Sequence, residues 1–165
     1  PYTECSALTA LDKADCACTR AAAAHGLRKS PTHQFYAWLS ANTKNAICRM
    51  QGIASPCSAS VIAPWFNTTG QTFVNNLSGF TTTTISSAVR FDETGIESGV
   101  VALVWTGTTT LGTWGGAAES CDEWTLTTSP SGVLGDRGSN SAPWTNNGTA
   151  ASCASPQHVY CLAAP

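Results

Sequence analysis

Eight cysteines, two acidic doublets, three histidines and six tryptophans are the side chains of this 165-residue chain best equipped for chemistry. A cysteine attacks a carbonyl or binds metal only while it is a thiolate. The even count in a short chain points instead to four disulfides and an oxidising compartment, extracellular, periplasmic or at a cell surface. Cys16-Ala17-Cys18 is the one tight pair, and the other six cysteines form no second knuckle of the kind a zinc ribbon needs. Asp92-Glu93 and Asp122-Glu123 offer general acid and base, yet neighbours on a strand face opposite sides, so both doublets read as solvated surface charge. His25, His33 and His158 lie too far apart in sequence to make a ligand motif, and each reads as a structural residue. No nucleophile elbow, H-E-x-x-H helix or phosphate-cradling glycine loop occurs. The expectation is a protein that is not an enzyme.

The tryptophans are candidates for binding or for the core. Trp105 and Trp124 fall beside apolar or cysteine positions and are expected inside, as is Trp38; Trp65 and Trp144 suit the core or a loop anchor. Trp114, in GTTTLGTWGGAAES (107–120), is surrounded by glycines with no apolar periodicity. It is either folded back on a sheet or a platform for a sugar or protein ligand, since an indole offers area and one donor at low entropy cost.

Positioning such residues is the work of one domain. Hydrophobic residues make up 42% of the chain, enough for a core, while charged residues make up only 11%, under half the usual share of about 25%. Thr, Ser, Asn and Gly take their place. A formal charge of −2 and eight scattered Lys and Arg leave no stripe for nucleic acid. No apolar run approaches the roughly 18 residues of a membrane span. The start at Pro1 is read as a processed or excised end.

Helices are expected over 17–27 (ACTRAAAAHGL), where alanine dominates and Gly26 stops the run, and over 33–41 (HQFYAWLSA), with a helical turn over 72–79. The best strand is 99–106 (GVVALVWT), almost continuously apolar; shorter strands fit 121–126 and 157–163. Long Gly/Ser/Thr/Asn stretches fill 107–119 and 127–152, and long loops on a small scaffold usually carry function or lack order. Asn147-Gly148 is a hairpin signal, and Asn67, Asn76 and Asn147 begin Asn-x-Ser/Thr triplets that matter only in a eukaryotic source.

Four stretches, in order, resemble the C-type-lectin-like fold, and more closely its endostatin-like branch, which includes collagen-derived endostatin and leptospiral endostatin-like surface lipoproteins. They are CTRAAAAHGL (18–27) with FYAWLS (35–40); WFNTTGQTFVNNLSGF (65–80) with ISSAVRFDETG (85–95); VWTG (104–107) with CDEWT (121–125); and PWTNNGTAASC (143–153) with HVYCLA (158–163). The resemblance covers most of 16–163 and implies an α+β domain over 1–165: two helices on a twisted, mostly antiparallel sheet, with long loops and residues 1–16 as an N-terminal hairpin extension.

The same resemblance selects among about 105 pairings of eight cysteines. In that fold the cysteine of the first helix joins the last strand and an inner pair staples the long-loop region, implying Cys18–Cys161 and Cys121–Cys153. Cys5–Cys16 and Cys48–Cys57 then follow from proximity. For function it implies a surface or secreted bacterial adhesion module for protein or glycan ligands, binding through the long-loop face: Trp114, Asp136, Arg137, Asn140, Asn146 and Asn147. Arg137 suits a bidentate contact to a carboxylate.

Metal is not expected. Sugar-binding members hold Ca2+ with an acidic–Pro–Asn triplet and a Trp-Asn-Asp strand, whereas this chain lacks the triplet and reads Trp144-Thr145-Asn146-Asn147. Endostatin binds zinc through N-terminal histidines, and PYTECS has none. A Ca2+-dependent lectin and a ligand-free tip or cap domain of a larger surface or fibre protein stand as the alternatives.

Overall fold

The computed structural model describes residues 5, 9–27, 33–58, 60, 63–97, 103–127 and 131–164. The first part of the expected strand 99–106 and much of the N-terminal hairpin lie outside them.

Helix α1 spans Ala10–Ala24, starting seven residues before the expected 17. The Thr9 side chain caps it by accepting from the Asp12 amide, and alanines carry it to His25, beyond which Gly26 takes φ +71°. Its inward face is Leu11, Cys18 and Ala22, at near-helical intervals of seven and four. Helix α2 is a single turn, Ala46–Arg49.

The expected helix over 33–41 is instead strand β1, Phe35–Ala37, paired antiparallel with β8, Cys161–Ala163. Burial alternates along it, with Phe35 and Ala37 inside. The α1 side chains hold its other edge. Thr19 Oγ1 accepts from the Phe35 amide at 3.0 Å, and Asp15 Oδ1 accepts from the Ala37 amide at 2.8 Å. A short apolar run fits either period, and here these backbone partners decide for the strand. Trp38, expected on an inner helix face, is fully buried but directly follows a strand.

Likewise the expected turn over 72–79 divides. Thr72–Val74 is strand β3, paired with β2 (Trp65–Phe66), and a 3-10 turn follows at Leu77–Thr81, capped by Asn76 Oδ1 on the Gly79 amide. The remaining described strands form a sheet in the order β6 (Ala150–Ser152), β5 (Ser131–Asp136), β4 (Leu103–Trp105), β7 (His158–Val159). All its pairings are antiparallel except β4–β7. The expected strand 157–163 is thus two strands, broken where Tyr160 turns its ring into the core.

Residues 121–126, also expected as a strand, open with a left-handed turn. Cys121, Asp122, Glu123 and Trp124 have φ of 50°, 51°, 58° and 66°. The Trp124 amide donates to Ser120 O at 2.7 Å, closing the turn, and Trp124 Nε1 donates to Ser40 O at 2.9 Å.

Two apolar clusters fill the interior. One is aromatic, built on Trp38, Trp65, Phe73, Phe80, Trp144 and Tyr160; Trp38 stacks on Phe80 with ring centres 5.0 Å apart. The other joins Leu11, Cys18, Phe35, Leu39, Trp105 and Leu134 between α1, β1 and the four-stranded sheet. Trp105 is buried as expected, whereas Trp124 is only half-buried.

All eight cysteines are paired, as Cys5–Cys16, Cys18–Cys161, Cys48–Cys57 and Cys121–Cys153. Cys18–Cys161 and Cys121–Cys153 are the two bridges that the resemblance implies, and Cys5–Cys16 and Cys48–Cys57 the two expected from proximity. The chain is therefore an α+β protein with four disulfides, which fits an oxidising compartment. Among the described residues no helix is long and apolar enough to cross a membrane.

Candidate ligand-binding site

The loop from Gly107 to Glu119 is folded onto the body of the protein. Gly112, at φ +74°, sits over Ile47 and its carbonyl accepts from the Ile47 amide at 3.1 Å. The Trp114 amide donates to Asn45 Oδ1 and its indole Nε1 donates to Ser120 Oγ, each at 2.9 Å. Trp114 is half-buried, with its one side-chain donor already used inside the fold. Leu111 is the exposed apolar residue of this loop.

The polar candidates shape turns. Asp136 Oδ1 accepts from the Gly138 amide at 2.8 Å. Asn146 Oδ1 accepts from the Gly148 amide at 3.0 Å, and Asn147 Oδ1 from the Thr149 amide and hydroxyl at 2.9 and 2.6 Å. The Asn140 carbonyl accepts from the Ile85 amide. The Asp136, Asn146 and Asn147 side chains thus convert parts of a long Gly/Ser/Asn stretch into ordered Asx turns, whereas the Asn140 contact is made by its backbone.

The candidates are spread along β5. The loop bearing Trp114 returns to the sheet where Ser120 bridges Gly132, while Asp136 pairs with Leu103 at the other end of β5. Gly132 and Asp136 are separated by about 13 Å of strand. Trp114 therefore sits towards one end of β5 and Asp136 at the other, while the Asn147 amide donates to Leu134 O between them at 2.9 Å.

Arg137 also borders a cleft of about 450 Å³. Val104, Tyr160 and Leu162, Ala21 and Ala22 of α1, Phe35 of β1, and Phe66 and Phe91 all line it. Its volume falls in the range of roughly 300–1,000 Å³ usual for ligand sites. His33, His158, Asp92 and Glu93 also line it. The two histidines and this acidic doublet, each bland in sequence, are brought to one concavity by the fold.

The β2–β3 hairpin presents Phe66. Trp65 turns inward and donates its Nε1 to Ala163 O at 2.7 Å, so Phe66 points outward and is 58% exposed. Asn67 Oδ1 ties the hairpin tip, accepting from the Thr69 and Gln71 amides and the Thr69 hydroxyl. Thr68 Oγ1 donates to Asp92 O at 2.9 Å, joining the hairpin to the loop that carries Asp92 and Glu93. The Thr94 hydroxyl, followed by the Ile96 amide, holds the Asp92 carboxyl below its ordinary value. The sequence signals for this lip are an aromatic just before an Asn-Thr-Thr-Gly turn and an Asp-Glu-Thr-Gly turn.

Tyr160 does not bring an acid to the cleft. Its buried hydroxyl donates to Trp144 O at 2.8 Å, and burial, then the Asp136 charge, raises it far above the ordinary phenol value. Asp15, also raised by burial, is closed off against Arg49. Among the described residues, no group of three or more His, Cys, Asp or Glu is placed to hold a metal ion. No protein-family model matches the chain, and no curated protein matches it.

Proposed function

We propose that this is an extracellular or cell-surface binding domain of the C-type-lectin-like fold, in its endostatin-like branch, that takes up a protein or glycan ligand without metal. The fold reading is supported by the bridge from α1 to the last strand, Cys18–Cys161, and by Cys121–Cys153 inside the loop-rich region. The observation that carries the function is the cleft of about 450 Å³ with Phe66 exposed at its lip. An open, mostly apolar concavity on a cross-linked scaffold is suited to holding a ligand. Because Trp114 uses its indole N–H within the fold, the cleft replaces the Trp114 loop as the leading binding surface.

The test is a screen of the disulfide-intact domain against a glycan array and immobilised extracellular-matrix proteins, in calcium and in EDTA, with Phe66→Ser and Trp114→Ala alongside. Binding that survives EDTA and falls with Phe66→Ser supports this reading. Binding abolished by EDTA replaces it with a Ca2+-dependent lectin. Absence of binding on every surface replaces it with a ligand-free tip domain.

A further inference from the structure

The geometry points to a partner protein that inserts an apolar side chain into the cleft against Phe66 and Phe91 and sets a basic residue against Asp92 and Glu93. This rests on the reading of the domain as a binding module.

Two of the five large apolar residues exposed among the described residues, Phe66 and Ile96, belong to the joined loops at one lip. They are 58% and 64% exposed. The Asp92 amide donates to Ile96 O at 3.1 Å, and Thr68 Oγ1 reaches Asp92 O, so the apolar and acidic groups share one tied unit. Phe66 lines the cleft and Ile96 stands on the loop tied to its hairpin, and an exposed apolar side chain beside a concavity with charge at its edge is a usual mark of an interaction site.

The polar groups at this lip argue for a side chain over a sugar. A glycan needs several directional partners, but Asn67 Oδ1 is taken by Thr69 and Gln71, Asn67 Nδ2 donates to Gln71 Oε1, and Thr68 Oγ1 is taken by Asp92 O. Asp92 Oδ1 likewise accepts from the Thr94 amide and hydroxyl and the Ile96 amide, so what the lip offers a ligand is chiefly ring face and negative charge.

Charge selects the neighbour. Besides its two histidines, the lining carries the Asp92 and Glu93 carboxylates and one guanidinium, that of Arg137. Both carboxylates stand on the loop joined to the Phe66 hairpin, so a side chain covering Phe66 brings the next residue of its own chain towards them. Glu93 is exposed, and the hydrogen bonds on Asp92 favour its ionised form. A lysine or arginine beside the apolar anchor complements that lip.

A random peptide display library panned against the immobilised, disulfide-intact domain tests this, followed by affinity measurements on one synthetic enriched peptide. The expected enrichment is an aromatic or branched aliphatic residue next to Lys or Arg. Phe66→Ser is expected to weaken that peptide roughly tenfold or more. Glu93→Gln is expected to weaken it about two- to fivefold and to flatten its salt dependence. Leu111→Ser, at a similarly exposed apolar residue on a loop that does not line the cleft, is expected to leave it unchanged. Lack of enrichment, enrichment of acidic peptides, or affinity indifferent to Phe66→Ser overturns the proposal. If glycan or matrix binding persists in Phe66→Ser, the binding-module reading stands and this cleft assignment alone falls. If neither screen finds a ligand, both fall.

Discussion

The Asp15 carboxylate meets the Arg49 guanidinium beneath β1, tying α1 to α2 through the strand between them. Asp15 Oδ1 also accepts from the Ala37 amide, while Arg49 Nη1 donates to Ala37 O and Leu39 O at 2.9 and 2.6 Å. The side chains are 17% and 8% exposed, so neither charge is well solvated. Asp15→Ala strands Arg49 without its counter-ion and is expected to cost about 3 kcal/mol in urea unfolding with the disulfides intact. Asp15→Asn keeps an acceptor for the Ala37 amide and is expected to cost less.

That pair also has a pH signature. Burial raises the Asp15 pKa above its ordinary 3.8 despite the opposing pull of Arg49. The native state then binds this proton more tightly than the unfolded chain. Stability contributed by protonated Asp15 is present in full below about 3.8 and is lost as pH rises through the raised native value, with no further change above it. The stability of the native protein relative to Asp15→Asn should fall across that acid window; a rise across it refutes the assignment.

At the alkaline end the group is Tyr160. Its pKa is raised by burial and then by Asp136, so ionisation opposes folding, and stability falls as pH climbs above about 10. Absorbance of phenolate should show Tyr160 titrating only with unfolding. Tyr160→Phe leaves the Trp144 carbonyl without the hydroxyl donor 2.8 Å away and is expected to cost about 1–3 kcal/mol.

The left-handed turn predicts an unusual gain from glycine. Glu123 holds φ 58° with its side chain half-buried, and its neighbours on both sides are also left-handed. A non-glycine residue costs about 1–2 kcal/mol in that conformation. Glu123→Gly is therefore expected to raise thermal stability, or at least to leave it level, where the same change in an ordinary helix would lower it by about 1 kcal/mol. Calorimetry on this single variant is sufficient.

Gly135 predicts the reverse. A Cβ there would meet the Trp144 carbonyl oxygen at 2.2 Å and Thr106 Cγ2 at 3.1 Å. The nearer atom is backbone and cannot swing away. Gly135→Ala should lower the urea midpoint, by roughly 1–3 kcal/mol in stability.

Some of this protein was legible without coordinates because the relevant physics is local or compositional. Cysteine number implied four bridges, the alanine run implied α1, and continuous apolar residues around Val104 implied a buried strand. Asn147-Gly148 announced a turn because its conformation is set within a few residues, and Gly148 has φ +76°. The partners in Cys18–Cys161 and Cys121–Cys153 came from a resemblance, and only with those two set did proximity pair the other four cysteines.

Tertiary structure decided whatever depends on partners distant in sequence. FYA became a strand because Asp15, Thr19 and β8 claim its backbone, a choice its own period does not contain. Trp114 turned inward because Asn45 and Ser120 supply an acceptor for each of its N–H groups. His33, Phe66, Asp92, Arg137 and His158, spread over 126 positions from 33 to 158, acquire a common cleft only when β1, β2, β4 and β7 are assembled. Local sequence determines which residues are able to act; the long-range pairing of backbone and the burial of aromatic rings determine which of them share a surface.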